Sequence, residues 1–281
     1  MCVGGAVKKV LFASAVFLAA LGAQSPGAVM AKPLAEPAYS WAGCYGGGNI
    51  GYSWGRAKAT TAADPVTLFG PFTIPAMSSS ASNDLDGVIG GGQVGCNWQP
   101  DPHWAFGIET DFQWTGEKGS FSSDDPFSIL AVPAPPTTID GDYVVDPETS
   151  ISWIGTLRGR VGYVWNDWFL YATGGFAYGR VKSSGGTVTE AGCIKVLRIG
   201  CVAFSQSASL SGSKVNPGWT VGGGIEFPLP NRWTWRIEYL YVDLGTLDLS
   251  ARMPSGALVR SRTEFTDNIV RLGLNYRFMT Y

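Results

Sequence analysis

Nine charged residues fall at spacings that give them a common geometry. Glu109 and Asp111, Arg158 and Arg160, and Arg236 and Glu238 are separated by two positions, and Glu226, Arg271 and Arg277 stand alone among apolar neighbours. In an extended chain, residues two apart project from the same face while their neighbours project from the other. Four acids and five arginines gathered in one interior could line a selective aqueous path, or they could neutralise each other. The second reading is favoured, because an unpaired charge in a narrow, poorly solvated interior is costly. Nucleophilic chemistry has little to draw on. The single histidine, His103, lies in the turn Gln99-Pro100-Asp101-Pro102-His103, with no nucleophile and base arranged around it, so no enzyme is expected. No cofactor or metal is expected either.

The elements that must position these residues are strands. From Ile151 the chain reads ISWIGTLRGRVGYVW, then Asn166-Asp167, then WFLYATGGFAYGR. On the first arm Ile151, Trp153, Gly155, Leu157, Gly159, Val161, Tyr163 and Trp165 share one face. Ser152, Ile154, Thr156, Arg158, Arg160, Gly162 and Val164 share the other. Strict alternation with Asn-Asp between the arms predicts a hairpin. The apolar stripe ends in Trp153, Trp165, Trp168 and Tyr178, the arrangement of interfacial aromatic girdles on a membrane barrel.

Six further stretches repeat the pattern. They are 43–55, 85–98, Trp104 to Thr115 (where Trp104, Phe106, Ile108, Thr110, Phe112 and Trp114 alternate strictly), 216–227, 233–244 and 265–278. Short turns with proline alternate with long connections over 56–83, 116–148, 182–213 and 245–264. The expected fold is all-β: an eight-stranded antiparallel up-and-down transmembrane barrel with short periplasmic turns and long extracellular loops. An even strand count places both termini in the periplasm. The interior of so small a barrel is filled by side chains.

Composition agrees with this class. The 281 residues are 13% aromatic and only 15% charged, with 38 Gly and 11 Trp, and 20 basic residues against 22 acidic. That balance argues against a nucleic-acid partner. Lys8-Lys9 precede the apolar stretch VLFASAVFLAALGA, and Val29-Met30-Ala31 offers a small-residue cleavage site. Residues 1–31 therefore read as a secretory signal peptide, with Ala23 as the alternative site and Cys2 misplaced for a lipid anchor. Residues 32–42 read as a periplasmic linker, and 43–281 as the barrel. Cys44, Cys96, Cys193 and Cys201 remain in the exported chain, and an even number there favours disulfides. Cys44 and Cys96 sit near the periplasmic ends of adjacent antiparallel strands on outward faces, which predicts one bridge. Cys193 and Cys201, in one outer loop, close the second.

Several motifs together carry a family resemblance. WAGCYGGGNIGYSWG, GGQVGCNWQ, WAFGIETDFQW, ISWIGTLRGRVGY, LYATGGFAYG and TDNIVRLGLNYRF resemble the outer-membrane immunogenic protein family, porin-like β-barrels of Gram-negative bacteria related to rhizobia. The resemblance covers nearly the whole mature chain outside the loops. It implies an outer-membrane location and a surface-antigen role, with haemin binding in some members. Haemin would call on Tyr143, Met77 or Met253 as axial ligand here. Family members end on an aromatic residue; here Met279-Thr280-Tyr281 follow Phe278, with Leu274, Tyr276 and Phe278 still aligned on one face as an assembly signal.

The expected function is a monomeric or weakly associating, envelope-supporting and surface-interacting barrel whose lumen is filled by paired charges. A small passive diffusion pore is the alternative, and ligand binding by the loops the third reading. Expected partners are outer-membrane lipid and lipopolysaccharide, the assembly machinery, and a host or surface partner through the loops. The segment Glu117 to Glu148 is strongly acidic, and the third loop is basic through Lys182, Lys195, Arg198 and Lys214. Phe69, Phe72, Phe121, Phe127 and Tyr143 either meet that partner or pack the loops together.

Overall fold

A computed structural model of the protein describes residues 39–279 apart from 70, 71, 75, 121, 122, 132–136 and 197–199. The expected leader, most of the linker, Phe121 and Arg198 lie outside the described residues. Eight long strands carry the architecture: β1 (Gly43–Ala63), β2 (Met77–Trp98), β3 (Trp104–Thr115), β4 (Thr137–Trp165), β5 (Trp168–Val196), β6 (Gly200–Pro228), β7 (Trp233–Arg252) and β8 (Leu258–Met279). Each pairs antiparallel with the next, and β8 returns to pair with β1. At the level of β3 closure leaves no free sheet edge among the described residues, the condition for a sheet to stand in hydrocarbon.

Tight connections lie at the end that holds the start of β1. Asn166 and Asp167 both adopt positive φ, 47° and 67°, to join β4 to β5, a turn that short polar side chains tolerate. Between β2 and β3, Asp101 Oδ1 accepts the backbone N–H groups of His103 (2.8 Å) and Trp104 (3.1 Å). A 3-10 turn over Pro230–Arg232 joins β6 to β7.

At the far end the connections differ from the expected loops. Apart from β3, the barrel strands run for 20 to 29 residues, whereas roughly 9–11 suffice to cross a bilayer. Much of 56–83, 116–148 and 182–213 is paired strand that prolongs the barrel beyond the aromatic belt. Its interior along β1 is lined by small residues. On β1 the buried Ala57, Ala59, Thr61 and Ala63 alternate with the exposed Arg56, Lys58 and Thr60. The alternation is real, but the hydropathy contrast is slight. Short pieces decorate this end: Val66–Phe69 pairs with Phe72–Ile74, Lys118–Ser120 with β2 and β4, and Ser123–Ala131 with β4.

The outward surface is apolar in a band. Ile50, Ile108 and Trp114 are 62%, 66% and 65% exposed, values that only a non-aqueous surrounding makes favourable for so many large apolar side chains. The band covers 104–114 on β3 and 268–278 on β8. Trp54, Trp114 and Trp219 mark its far edge, and Trp98, Trp165 and Trp168 its near edge.

Ile151, expected outward with Trp153, faces inward instead, because a register irregularity between Ile151 and Trp153 against β5 inserts one extra residue. Such a bulge reverses the parity of everything beyond it. Ile151 is consequently buried at 1% exposure, on the same side as Ile154.

Candidate functional site

Inward parity delivers the charged side chains from five strands to one level of the lumen. Glu109 and Asp111 come from β3, Arg158 and Arg160 from β4, Glu226 from β6, Arg236 and Glu238 from β7, and Arg271 from β8. All eight are buried, none more than 3% exposed. The register sets Glu109 beside Arg158 across β3 and β4, Glu226 beside Arg236 across β6 and β7, and Glu238 beside Arg271 across β7 and β8.

Their contacts form a continuous network. Glu109 is its hub: Oε1 accepts from Arg158 Nη2 at 2.5 Å and Arg236 Nη2 at 3.0 Å. Its Oε2 accepts from Tyr45 Oη at 2.5 Å and Arg160 Nη1 at 3.2 Å, and also meets Arg236 Nη1. Asp111 Oδ2 takes Arg158 Nη2 (2.7 Å) and Arg271 Nη2 (2.9 Å). Glu238 accepts from Arg158 Nη1 (3.1 Å), Tyr171 Oη (3.0 Å) and Arg271 Nε (2.7 Å). Glu226 accepts from Arg160 Nη2 (2.9 Å), Thr234 Oγ1 (2.5 Å) and Asn275 Nδ2 (2.9 Å). Four carboxylates thus meet four guanidiniums, so the layer is formally neutral. Charge-assisted contacts of this kind are the strong ones, and in a low dielectric each depends on the others.

Sequence reasoning missed the neutral members. Tyr45, Thr234 and Asn275 complete the network, and the Arg160 guanidinium lies 4.1 Å from the Tyr171 ring. Asn49, Gln93 and Asn275 continue it across β1, β2 and β8, with Asn49 Nδ2 donating to Gln93 Oε1 at 2.6 Å and Gln93 Nε2 to Asn275 Oδ1 at 2.7 Å. The signal was parity, since Tyr45 and Asn49 share the inward face of β1. A Cβ on Gly95 would strike the Tyr45 hydroxyl, so that glycine makes the room the phenol occupies.

Arg277, expected in the same group, stands apart from these carboxylates. Its Nη2 donates to the Ala42 carbonyl at 2.6 Å, and its guanidinium lies over the rings of Tyr39 (5.0 Å) and Trp41 (6.0 Å). The segment before β1, expected as linker, folds across the near mouth here. Trp41 is 1% exposed, stacks on Phe169 at 5.3 Å, and donates its indole N–H to Asp167 O at 3.2 Å.

Above the ion layer the lumen turns apolar. Leu85, Ile89, Ile151, Ile154, Leu240, Val242, Phe265 and Ile269 pack together, and a second cluster containing Val188, Leu210, Met253 and Val259 follows. Met253, expected as a haemin ligand, is 3% exposed within that cluster, and Met77 packs against it half-buried. The side chain of Tyr143 lies outside the described residues, as do those of Phe69, Phe72 and Phe127. Lys195 pairs with Asp140 at 2.8 Å. Lys182 and Lys214 are exposed.

Cys44 and Cys96 face each other across β1 and β2 and are bonded, with Cα atoms 4.0 Å apart; Cys193 and Cys201 are bonded where β5 meets β6. Leu274, Tyr276 and Phe278 project outward from β8 at 46%, 40% and 51% exposure. His103 is exposed and stacks on Tyr163 at 5.6 Å.

Comparison with known proteins gives a consistent picture. The model of the outer membrane protein β-barrel domain matches residues 13–278. The 31 kDa outer-membrane immunogenic protein of Brucella melitensis is 33% identical over 278 residues, covering 97% of this chain and all of that protein. A 22 kDa outer membrane protein of Rhizobium leguminosarum is 31% identical over 190 residues, 67% of this chain and 66% of the relative. Among solved structures, the attachment invasion locus protein Ail of Yersinia pestis aligns at 14% identity with a TM-score of 0.27, over 82% of this chain and 99% of that one.

Proposed function

Because the chain belongs to the outer membrane protein β-barrel domain family, we propose that it serves as a closed structural barrel of the outer membrane, presenting its prolonged strands and loops as a surface. The observation that carries this reading is the filled lumen: Arg158, Arg236 and Arg271 are at most 1% exposed, held by carboxylates from β3 and β7. A neutral ion layer under an apolar layer offers small solutes no polar path. Removing one partner would strand a buried charge. On this reading the arginines and acids are a plug rather than a filter.

In the same reading residues 1–31 direct export and are removed, and the outward row Leu274, Tyr276 and Phe278 is what the assembly machinery meets. Lipid and lipopolysaccharide surround the apolar band. No catalytic role is assigned to any residue.

A deletion strain tests this. Loss of the chain should sensitise cells to detergents and large antibiotics without slowing the uptake of small solutes. Slowed uptake with an intact permeability barrier would overturn it in favour of a pore.

A further inference from the structure

One buried group has no place in the plug. Glu117, expected in the acidic outer loop, turns back into the lumen just past β3 and is 1% exposed; Asp267 of β8 is 0% exposed. Both lie at the far edge of the apolar band, at the level where Ser53 and Thr115 also point inward. Glu117 Oε1 accepts from the hydroxyls of Ser53 and Thr115, the latter at 3.1 Å. Glu117 Oε2 and both oxygens of Asp267 have no hydrogen-bond partner, and the two side chains flank the same stretch of β1, Glu117 on the Ser53 hydroxyl and Asp267 opposite Gly55. Two ionised carboxylates cannot hydrogen-bond to each other, because both are acceptors only. We propose that Glu117 and Asp267 share a proton, and that this proton latches the outer layer of the lumen until alkaline pH removes it.

The surroundings leave few alternatives. The apolar residues Leu85, Val242, Phe265 and Ile269 line this level. From β1 comes only the Ser53 hydroxyl, and from β3 that of Thr115. From β2 comes Asp86, exposed on the outer face and accepting from Tyr52 at 2.5 Å; it adds negative charge rather than relieving it. Lys118, the residue after Glu117, is exposed and lies opposite Asp86 in the sheet. From β7 comes Val242, opposite Asp267. Among the described residues neither acid has a cation within ion-pair distance. The arginines one layer below cannot serve, since Glu109, Asp111, Glu226 and Glu238 match them one for one. The backbone has made space for the pair: a Cβ on Gly87 would come within 2.8 Å of the Glu117 nitrogen, and one on Gly55 within 3.1 Å of Asp267 Oδ1.

A carboxyl that the fold keeps protonated holds a proton that the unfolded chain gives up, so stability falls as pH rises above the ordinary carboxyl range and levels off once the pair has ionised.

The test is an infrared and thermal titration of the refolded mature chain, with Asp267→Asn and Glu117→Gln beside it. The wild type should show a protonated-carboxyl carbonyl band at neutral pH that fades as the solution becomes alkaline and is weakened in Asp267→Asn. Its melting temperature should fall over the same range, and the variants should be flatter. If the variants do not fold, the wild-type band decides alone. Absence of that band at neutral pH overturns the proposal, as do equal pH slopes in wild type and variants. A missing band together with stabilisation by added magnesium would put a cation in the proton's place. The plug reading fails on conductance at neutral pH and this one on the carboxyl band, so the two are separable.

Discussion

Arg158 Nη1 donates to Glu238 Oε1 at 3.1 Å across the lumen, from strands that are not neighbours in the barrel. That single contact ties β4 to β7 through the interior. It belongs to a set in which Arg158 also holds Glu109 and Asp111. Replacing Arg158 by Met keeps the volume and removes the charge, leaving three carboxylates short of a partner. The expected loss is roughly 3–5 kcal/mol, read as a lower urea midpoint for unfolding from lipid vesicles. Unchanged stability with raised ion flux would indicate that the side chain lines a path.

Trp41→Ala should open the near mouth. The indole stacks on Phe169 and anchors the segment before β1 to the Asn166-Asp167 turn. Loss of a buried tryptophan costs roughly 3–5 kcal/mol where the site cannot collapse. Here the additional expectation is faster proteolysis of residues before β1 in the folded protein. Equal protection in both proteins would mean the segment is held by other contacts.

Reduction, or Cys44→Ser with Cys96→Ser, should lower stability by about 2–4 kcal/mol without unfolding the barrel, because the bridge joins strands already paired residue by residue. Peptide mapping of the oxidised protein should return Cys44–Cys96 and Cys193–Cys201. Either crossed pairing contradicts the strand order.

The mature protein is expected to begin after Ala31. Mass spectrometry of protein from outer-membrane fractions checks this directly. A start after Ala23 would lengthen the segment before the barrel, and an intact leader would contradict the proposed export route.

Much of the membrane band was legible because alternation there is extreme. Trp104 to Trp114 on β3 sets large apolar side chains, interrupted only by Thr110, against Glu109, Asp111 and Gln113, and inward parity brought eight of the nine charged residues to one layer. Beyond the band the pattern weakens. Ala57, Ala59 and Ala63 face inward and Lys58 and Thr60 outward, a contrast of size more than polarity, so strand reads as loop. The bulge at Ile151 was invisible because one inserted residue leaves no compositional mark. Glu117 was hidden among the acids that follow it, and only the third dimension separates it from them. Arg277 carried the right parity at the wrong height, next to Trp41 rather than Glu109.

The central claim is that the lumen is closed by its own paired charges, and planar-bilayer conductance of the refolded mature chain at neutral pH tests it most directly. The account predicts a folded, inserted and electrically silent barrel. Stable steps of uniform size would contradict it, and would turn Glu109, Arg158, Arg160 and Arg236 from a plug into the lining of a filter.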